Sequence, residues 1–139
     1  MRTLVLALVL LTGARPAHAQ GLDQTMKRMA NFWARGDAHS LVDYASAAGF
    51  SLELGSDPVG PVAARQAAAA FKRLFEDRET ISVRPGVTRM VGGEPALAFG
   101  EFEWISRPRG TTIPEHRLVF VAFVREPTGW RVTHIRVLP

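Results

Sequence analysis

Two glutamates separated by one residue are the side chains with the clearest chemical potential in this sequence. Glu101 and Glu103 lie in an alternating segment, so both point to one face of a strand, with Leu97 and Phe99. If that face is concave, the two carboxylates repel each other beside an apolar wall, and one of them keeps its proton near neutrality. If it is convex, both are solvated charges. The alternation alone favours solvated charges, but it does not decide which face of the sheet carries the two glutamates.

Three further residues are candidates for binding a ligand. Tyr44 is the only tyrosine and falls in the second predicted helix, while Trp33 falls in the first. Packing in the core is the alternative for both aromatic side chains. Arg131 lies in the last predicted strand, where an arginine opposite a glutamate would form a cross-strand pair. Such a pair lowers the pKa of the carboxyl group and indicates a structural or anion-binding role.

Several kinds of chemistry find no support in the sequence. His39, His116 and His134 are dispersed, and the chain has no cysteine, so we expect no metal site. We also expect no cofactor, because neither a phosphate-binding loop nor a dinucleotide fingerprint is present. The serines lack the pattern of a nucleophile elbow. His116 is the best general-base candidate among the histidines, although a surface position is the alternative.

The first 19 residues have the pattern of a secretory signal peptide. Arg2 precedes an apolar run over residues 4–11, and Ala17 and Ala19 are the small residues of a cleavage site before Gln20. This run is much shorter than the roughly 20 residues of a membrane-spanning helix. We therefore expect an exported protein, periplasmic or extracellular, with one domain over residues 20–139.

Removal of this segment lowers the net charge of the protein. The full chain carries 17 basic and 13 acidic side chains, a net charge of +4. Loss of Arg2 and Arg15 leaves 15 basic against 13 acidic, a net charge of +2. Two charges on about 120 residues do not form the basic surface that binds nucleic acid. We expect no nucleic-acid partner.

The order of predicted elements is helix, helix, strand, helix and then four strands. Asp37 is the predicted N-cap of the second helix, and an alanine-rich run supports the third. Four successive strands with tight connections should pair antiparallel, which predicts an α+β fold with three helices packed on one face of a curved antiparallel sheet. The predicted helices are residues 22–36, 38–47 and 63–78, and the predicted strands are residues 50–54, 79–91, 94–105, 114–125 and 130–138.

This order resembles the nuclear transport factor two-like superfamily, which includes SnoaL-like cyclases and ketosteroid isomerases. The ending from Gly129 to Val137, GWRVTHIRV, is similar to the G-W-x-I-x-H ending of those domains, and residues 101–104 occupy the position of the aromatic central strand. The resemblance covers residues 22–138. It implies a cystatin-like cone-shaped half-barrel with a pocket at its open end, and a dimer through the outer face of the sheet.

In ketosteroid isomerase-type members of this superfamily, a helix tyrosine and strand acids form the site. The resemblance therefore gives Tyr44 as a donor and Glu101 or Glu103 as a base, although the aspartates and spacing of those enzymes are not matched. It also gives Trp33, Tyr44, Glu101, Glu103 and Arg131 as ligand-binding candidates. His134, by its position, is expected at the oligomer face.

The segment from Leu118 to Val124 independently favours a homodimer. Both of its alternating faces are apolar, whereas a strand exposed on one side should show polar residues at every second position. Helices cover only one face of such a sheet, so a second copy is the simplest cover for the other. A central strand covered by its own loops is the alternative.

Three functions remain open from the sequence. The first is a non-catalytic module that binds a small apolar ligand or a partner through the cone pocket. The second is a cofactor-free isomerase, dehydratase or cyclase acting on an apolar carbonyl compound. The third is an accessory subunit of a cell-envelope assembly that uses the apolar sheet face for another protein.

Overall fold

Three helices and six strands make up the part of the chain that the structure describes. The structure, a computed structural model, describes residues 17–55 and 59–139, with side chains from Gly21 onward except that of Val59. The elements are helices α1 (Ala17–Ala34), α2 (Ala38–Asp43) and α3 (Ala64–Asp77), and strands β1 (Ser51–Glu53), β2 (Val59–Pro61), β3 (Arg78–Gly92), β4 (Leu97–Pro108), β5 (Glu115–Glu126) and β6 (Gly129–Leu138). The predicted α+β fold, with helices packed on a curved sheet, is confirmed.

The sheet is built around the four long strands. Its order is β2-β1-β6-β5-β4-β3, and β3 to β6 form an antiparallel meander. The short strand β1 joins β6 in parallel, so the sheet is mixed at this edge. The sequence predicts a turn-rich stretch between the first strand and the third helix, but β2 lies within it. Pro85 and Gly86, which predict a break in the strand from the sequence, instead lie at an irregularity in the pairing of one continuous strand.

The second helix is shorter than the sequence predicts. Asp37 is its N-cap, as expected, because the Asp37 side chain accepts hydrogen bonds from the backbone N–H and the hydroxyl of Ser40. The helix ends at Asp43 because the following residues pair with β6. Val132 N–H donates to the carbonyl of Tyr44, and Ser46 N–H donates to the carbonyl of Val132. This pairing fixes the chain beside the sheet edge.

A bulge in β6 reverses the faces that simple alternation predicts. The sequence pattern places Arg131 on one face with Ile135 and Val137, but the pairing register shifts opposite Ala122. Trp130 and Val132 are buried before the shift, and Ile135 and Val137 are buried after it. A bulge adds one residue to one strand, so inward and outward positions exchange beyond it. Arg131 therefore points away from the face that buries Ile135.

The core lies between the helices and one face of the sheet. Its buried side chains come from α1, α2, α3 and the inward positions of the long strands. β4 shows the alternation most clearly, with Ala98, Phe102 and Trp104 buried and Leu97 and Glu101 exposed.

The predicted signal peptide lies outside the described residues, apart from the backbone of Ala17–Ala19 at the beginning of α1. In the part of the chain that the structure describes, no helix is both long enough and apolar enough to cross a membrane.

Candidate functional site

An aromatic cluster fills the space between the helices and the sheet. Trp33 is fully buried, and its ring centroid lies 5.3 Å from that of Trp104 and 5.4 Å from that of Phe102. Phe71 and Phe75 of α3 contact the same indole edge to face. Trp33, a sequence candidate for ligand binding, is thus part of the packed core. The cavities lie at the margins of this core.

Glu101 and Glu103 lie on the outer face of the sheet, which the sequence left undecided. Glu101 is exposed, and Glu103 lies 3.2 Å from Nδ1 of His116 on the next strand. Tyr44 follows α2 beside the edge of β6, where its ring contacts Phe32 of α1, and it lines a different cavity from the two acids. The structure therefore does not bring the two acids together with Tyr44. A site with Tyr44 as donor and either acid as base is not assembled.

The outer face combines exposed apolar and charged side chains. Leu97 and Leu118 are 47% and 43% exposed, and Phe99 packs against Phe120 with ring centroids 5.9 Å apart. A groove of about 450 Å³ crosses this face between β3 and the neighbouring strands. Its lining residues are Arg84, Pro85, Gly86, Val87, Arg89, Phe99, Glu101, Phe102, Glu103 and Leu118.

A larger cavity, which we call the α1–α3 groove, has a volume of about 570 Å³. It lies between the end of α1, the start of α2, the end of α3, the start of β3 and the β4–β5 loop. Its lining residues are Ala34, Arg35, Gly36, Ala38, Lys72, Phe75, Glu76, Arg78, Glu79, Thr80 and Arg109. The chain passes close to Phe75 at Gly36, where a Cβ would lie 3.3 Å from the Phe75 side chain. The φ of Gly36 is +64°, a backbone conformation that favours glycine.

Arg78 is the most firmly held cation of the α1–α3 groove. Its side chain is only 12% exposed, Nε donates to Ser106 at 3.0 Å, and Nη2 donates to Glu115 at 2.7 Å. The guanidinium carbon lies 5.6 Å from the ring centroid of Trp104. The hydrogen bond from Arg78 is the main reason that the pKa of Glu115 lies below its usual value. Among the described residues, Nη1 of Arg78 has no partner.

The other charged side chains of the α1–α3 groove leave it with an excess of positive charge. Four of its lining residues are cationic and two are acidic. Glu79 is paired with Arg107 of β4 at 2.9 Å, so its charge is compensated. Arg109 donates to the carbonyls of Phe75 and Glu76 at the end of α3. Within the described residues, Lys72 forms no ion pair.

A smaller cavity of about 210 Å³ contains two of the sequence candidates. We call it the arginine notch; it is lined by Gly21, Gln24, Thr25, Arg28, Tyr44, Arg125, Thr128, Gly129, Trp130 and Arg131. The guanidinium carbon of Arg131 lies 5.6 Å from the ring centroid of Tyr44, so these two candidates are in contact. The notch and the α1–α3 groove have no lining residue in common.

Sequence reasoning missed most of the residues that form these cavities. Arg78 follows α3 directly and begins β3, and nothing in the sequence shows that its side chain crosses to Ser106 and Glu115. Arg28 and Arg125 lie far apart in the chain and carry no motif. No group of three or more potential metal ligands occurs among the residues that the structure describes.

No family model and no curated protein matches this sequence. Solved structures with the same fold are found at low identity. A DUF4783 family protein from Bacteroides uniformis has a TM-score of 0.64 at 13% identity, covering 80% of this chain and 93% of that one. A domain of unknown function with a cystatin-like fold from Nostoc punctiforme has a TM-score of 0.65 at 15% identity, with coverages of 90% and 78%.

An NTF2-like protein with a cystatin-like fold from Novosphingobium aromaticivorans is also similar in structure. Its TM-score is 0.61 at 16% identity, and the alignment covers 86% of this chain and 80% of that one. Agreement over most of both chains at such low identity establishes the fold and nothing about activity. The resemblance inferred from the element order and the closing strand is thereby confirmed at the level of fold.

Proposed function

We propose that this chain, which has the NTF2-like fold, is an exported, non-catalytic binding domain. Its ligand site is the α1–α3 groove, and the ligand is a small molecule with an apolar part and an anionic group. The observation that carries this proposal is the combination of Phe75, an apolar wall, with Arg78, a cation that is only 12% exposed, in one groove of about 570 Å³.

The size and lining of the α1–α3 groove support small-molecule binding. Ligand pockets of proteins measure roughly 300–1,000 Å³ and combine apolar walls with a few polar groups that fix orientation. Here Phe75 and the alanines of α1 and α2 supply apolar contact. Lys72 and Nη1 of Arg78 supply donors for an anion. The expectation of a purely apolar ligand is therefore replaced by one with a charged end.

The state of the nearby acids favours binding over proton transfer. A general base or acid works best with a pKa near the ambient pH. Glu115 has a lowered pKa because Arg78 donates to it, and Glu79 is paired with Arg107. Both act as counterions for arginines. The acids proposed from the resemblance, Glu101 and Glu103, are on the far face of the sheet.

Titration calorimetry with decanoate below its micellar concentration tests the groove. We expect decanoate to bind more tightly than decanol or decyltrimethylammonium, because only decanoate matches both the apolar wall and the cations. Lys72→Gln should weaken decanoate binding about threefold to tenfold, since a charge-assisted hydrogen bond is lost.

The matched control is Arg73→Gln, which removes one charge from the same helix at an exposed residue that does not line the groove. Equal affinity for decanol and decanoate would contradict an anion-binding end. If the Lys72 and Arg73 variants weakened decanoate binding equally, the α1–α3 groove would not be the binding site. Turnover of an apolar ketone that depends on Glu101 or Glu103 would restore the enzyme alternative.

We also propose that the outer face of the sheet forms a homodimer. Support comes from the exposed leucines Leu97 and Leu118, the Phe99–Phe120 pair and the exposed Val87, which lie on the face that the helices do not cover. Contiguous exposed apolar surface on a soluble domain is typical of an interaction site. His134, on the same face, is within 3.8 Å of Glu53.

Sedimentation at micromolar concentration tests the dimer. We expect twice the monomer mass for the parent protein and a shift to monomer for Leu118→Glu. Ile113→Glu is the matched control, because Ile113 is 75% exposed in the β4–β5 loop, away from this face. A monomeric parent protein would contradict the homodimer and favour another protein as the occupant of this surface, as in an envelope assembly.

Export is the last part of the proposal, and it rests on the sequence of residues 1–19. Expression of the full gene in a Gram-negative bacterium should yield a periplasmic protein whose mass corresponds to a chain beginning at Gln20. Replacing Ala17 and Ala19 by glutamine should block this cleavage. Recovery of the unprocessed chain from the cytoplasm of both strains would contradict export.

A further inference from the structure

The arginine notch gathers three positive charges, and none of the described residues that line it is acidic. Arg28 comes from α1, Arg125 from the end of β5 and Arg131 from β6. Like charges repel at short range, so such a cluster costs free energy unless counter-charges or a bound anion compensate it. The partners of each guanidinium therefore decide whether the notch is a binding site.

Within the described residues, the hydrogen bonds that hold Arg28 and Arg131 are all to neutral groups. Nη1 of Arg131 donates to the carbonyl of Asp43 at 3.0 Å, and its Nε and Nη2 both donate to the hydroxyl of Thr128 at 3.2 Å. Nη1 of Arg28 donates to the hydroxyl of Tyr44 at 3.0 Å. These contacts orient the two guanidinium groups without pairing either of them with a carboxylate of the described residues.

Arg125 is also without a carboxylate partner among the described residues. Its guanidinium carbon lies 5.8 Å from the ring centroid of Trp130. The acid next to it in sequence, Glu126, is turned away, because its Oε1 accepts hydrogen bonds from Ser46 Oγ at 3.1 Å and from Ala47 N at 3.3 Å. The side-chain N–H groups of Arg125 are therefore available to a ligand in the notch.

Tyr44 adds a directed donor to this cavity. The phenol oxygen accepts from Arg28, so its own proton is free to be donated elsewhere. The guanidinium of Arg131 stacks on the ring and fixes it. The notch thus presents one O–H donor and several N–H donors within about 210 Å³.

We propose that the arginine notch binds a small tetrahedral oxyanion, phosphate or sulfate, free or as the terminal group of a larger molecule. Arginine forks match the oxygen spacing of such anions, and the charge of the anion compensates the three guanidinium groups. This site is independent of the α1–α3 groove, since they have no lining residue in common. Failure of one proposal leaves the other standing.

The indole N–H resonances of the three tryptophans provide a site-specific test. Sodium phosphate and sodium sulfate are titrated separately, with sodium chloride at matched ionic strength as reference. We expect saturable movement of the Trp130 indole resonance, which lines the notch. Trp33 does not line the notch, so its resonance should stay fixed and serves as the internal control. A response to phosphate alone would identify a phosphoryl site, and a response to both anions a general oxyanion site.

Two variants and one control assign the donors. Arg125→Gln should weaken phosphate binding about tenfold or more, because a charge-assisted hydrogen bond is lost, and Tyr44→Phe should weaken it about threefold. Arg65→Gln, which removes an exposed charge from α3, should leave the affinity unchanged. The proposal is overturned if the wild-type Trp130 resonance responds to chloride as it does to phosphate, or if it does not saturate. Equal effects of the Arg125 and Arg65 variants would overturn it as well.

Discussion

The two faces of the sheet differ in how their side chains are used. On the inner face, Trp104 and Phe102 pack against Trp33 of α1, and all three are buried. On the outer face of the same strand, Glu101 is exposed, and Phe99 packs against Phe120 of the neighbouring strand. One strand therefore carries buried core side chains on one side and exposed apolar and charged side chains on the other. The difference indicates that the inner face contributes most of the stability, and it leaves the outer face for the proposed dimer.

This separation also affects where ligands can bind. Because the aromatic cluster occupies the interior, the α1–α3 groove and the arginine notch both form at its edges, where charged side chains from helices and strand ends meet. The proposed ligands would therefore contact the rim of the core, and Trp33 lines neither cavity.

The largest expected effect is on the inner face. Trp33→Ala should lower the free energy of unfolding by about 3–5 kcal/mol, because a fully buried indole in contact with four other rings is replaced by a cavity. Phe99→Ala on the outer face is the comparison and should cost about 1 kcal/mol or less when the protein is monomeric. Urea unfolding measures both. Similar losses for the two variants would contradict the difference between the faces.

A smaller loss is expected where β3 lies close to β4. A Cβ added at Gly86 would lie 2.7 Å from the carbonyl oxygen of Glu101, so Gly86→Ala should force the two strands apart. The expected cost is about 1–3 kcal/mol, as for other overpacked sites. Gly60→Ala, where a Cβ would meet nothing within 4 Å, is the control and should be close to neutral by the same unfolding measurement. A neutral Gly86 variant would show that this edge of the sheet is free to move.

The N-cap of α2 makes a pH-dependent contribution of about 1 kcal/mol to the free energy of unfolding. Hydrogen bonds from Ser40 hold the pKa of Asp37 below its ordinary value of 3.8. The stabilisation is therefore fully present above the unfolded pKa and is lost as pH falls through the lower folded pKa. Asp37→Ala should cost about 1 kcal/mol at neutral pH and progressively less below pH 3.8. A difference between the two proteins that is constant with pH would contradict this cap.

The smallest effect is expected for an exposed ion pair on the sheet. Glu79 and Arg107 lie on neighbouring strands with 2.9 Å between charged atoms, and the Glu79 side chain is 48% exposed. Surface pairs of this kind contribute about 0–1 kcal/mol. Glu79→Gln should therefore change the unfolding free energy by less than about 1 kcal/mol, and the change should vanish in 1 M salt. A larger loss would mean that the outer charges contribute to stability as the core does.

The fold was largely predictable because its signals are local. Alanine content marks α3, Asp37 caps α2, and the alternation in β4 and β5 separates buried from exposed positions. The bulge in β6 was not predictable, because alternation carries no information about an inserted residue until the partner strand is known. For the same reason, alternation wrongly places Arg131 on the same face of β6 as Ile135 and Val137.

The candidate sites were only partly predictable, since they depend on contacts between distant segments. Tyr44 and Arg131 were candidates and do meet, but through a bridge between the end of α2 and β6 that no local pattern shows. Glu101 and Glu103 were recognised as a pair on one face, whereas the choice of face depends on which side the helices cover. Arg78 was missed because its partners are 28 and 37 residues away.

A crystal structure of the protein soaked with decanoate would show directly whether the α1–α3 groove binds this ligand. We expect electron density in the α1–α3 groove, with the alkyl chain against Phe75 and the carboxylate within hydrogen-bonding distance of Arg78 or Lys72. Density confined to the outer face of the sheet, or an empty groove at a decanoate concentration that saturates binding in solution, would contradict it.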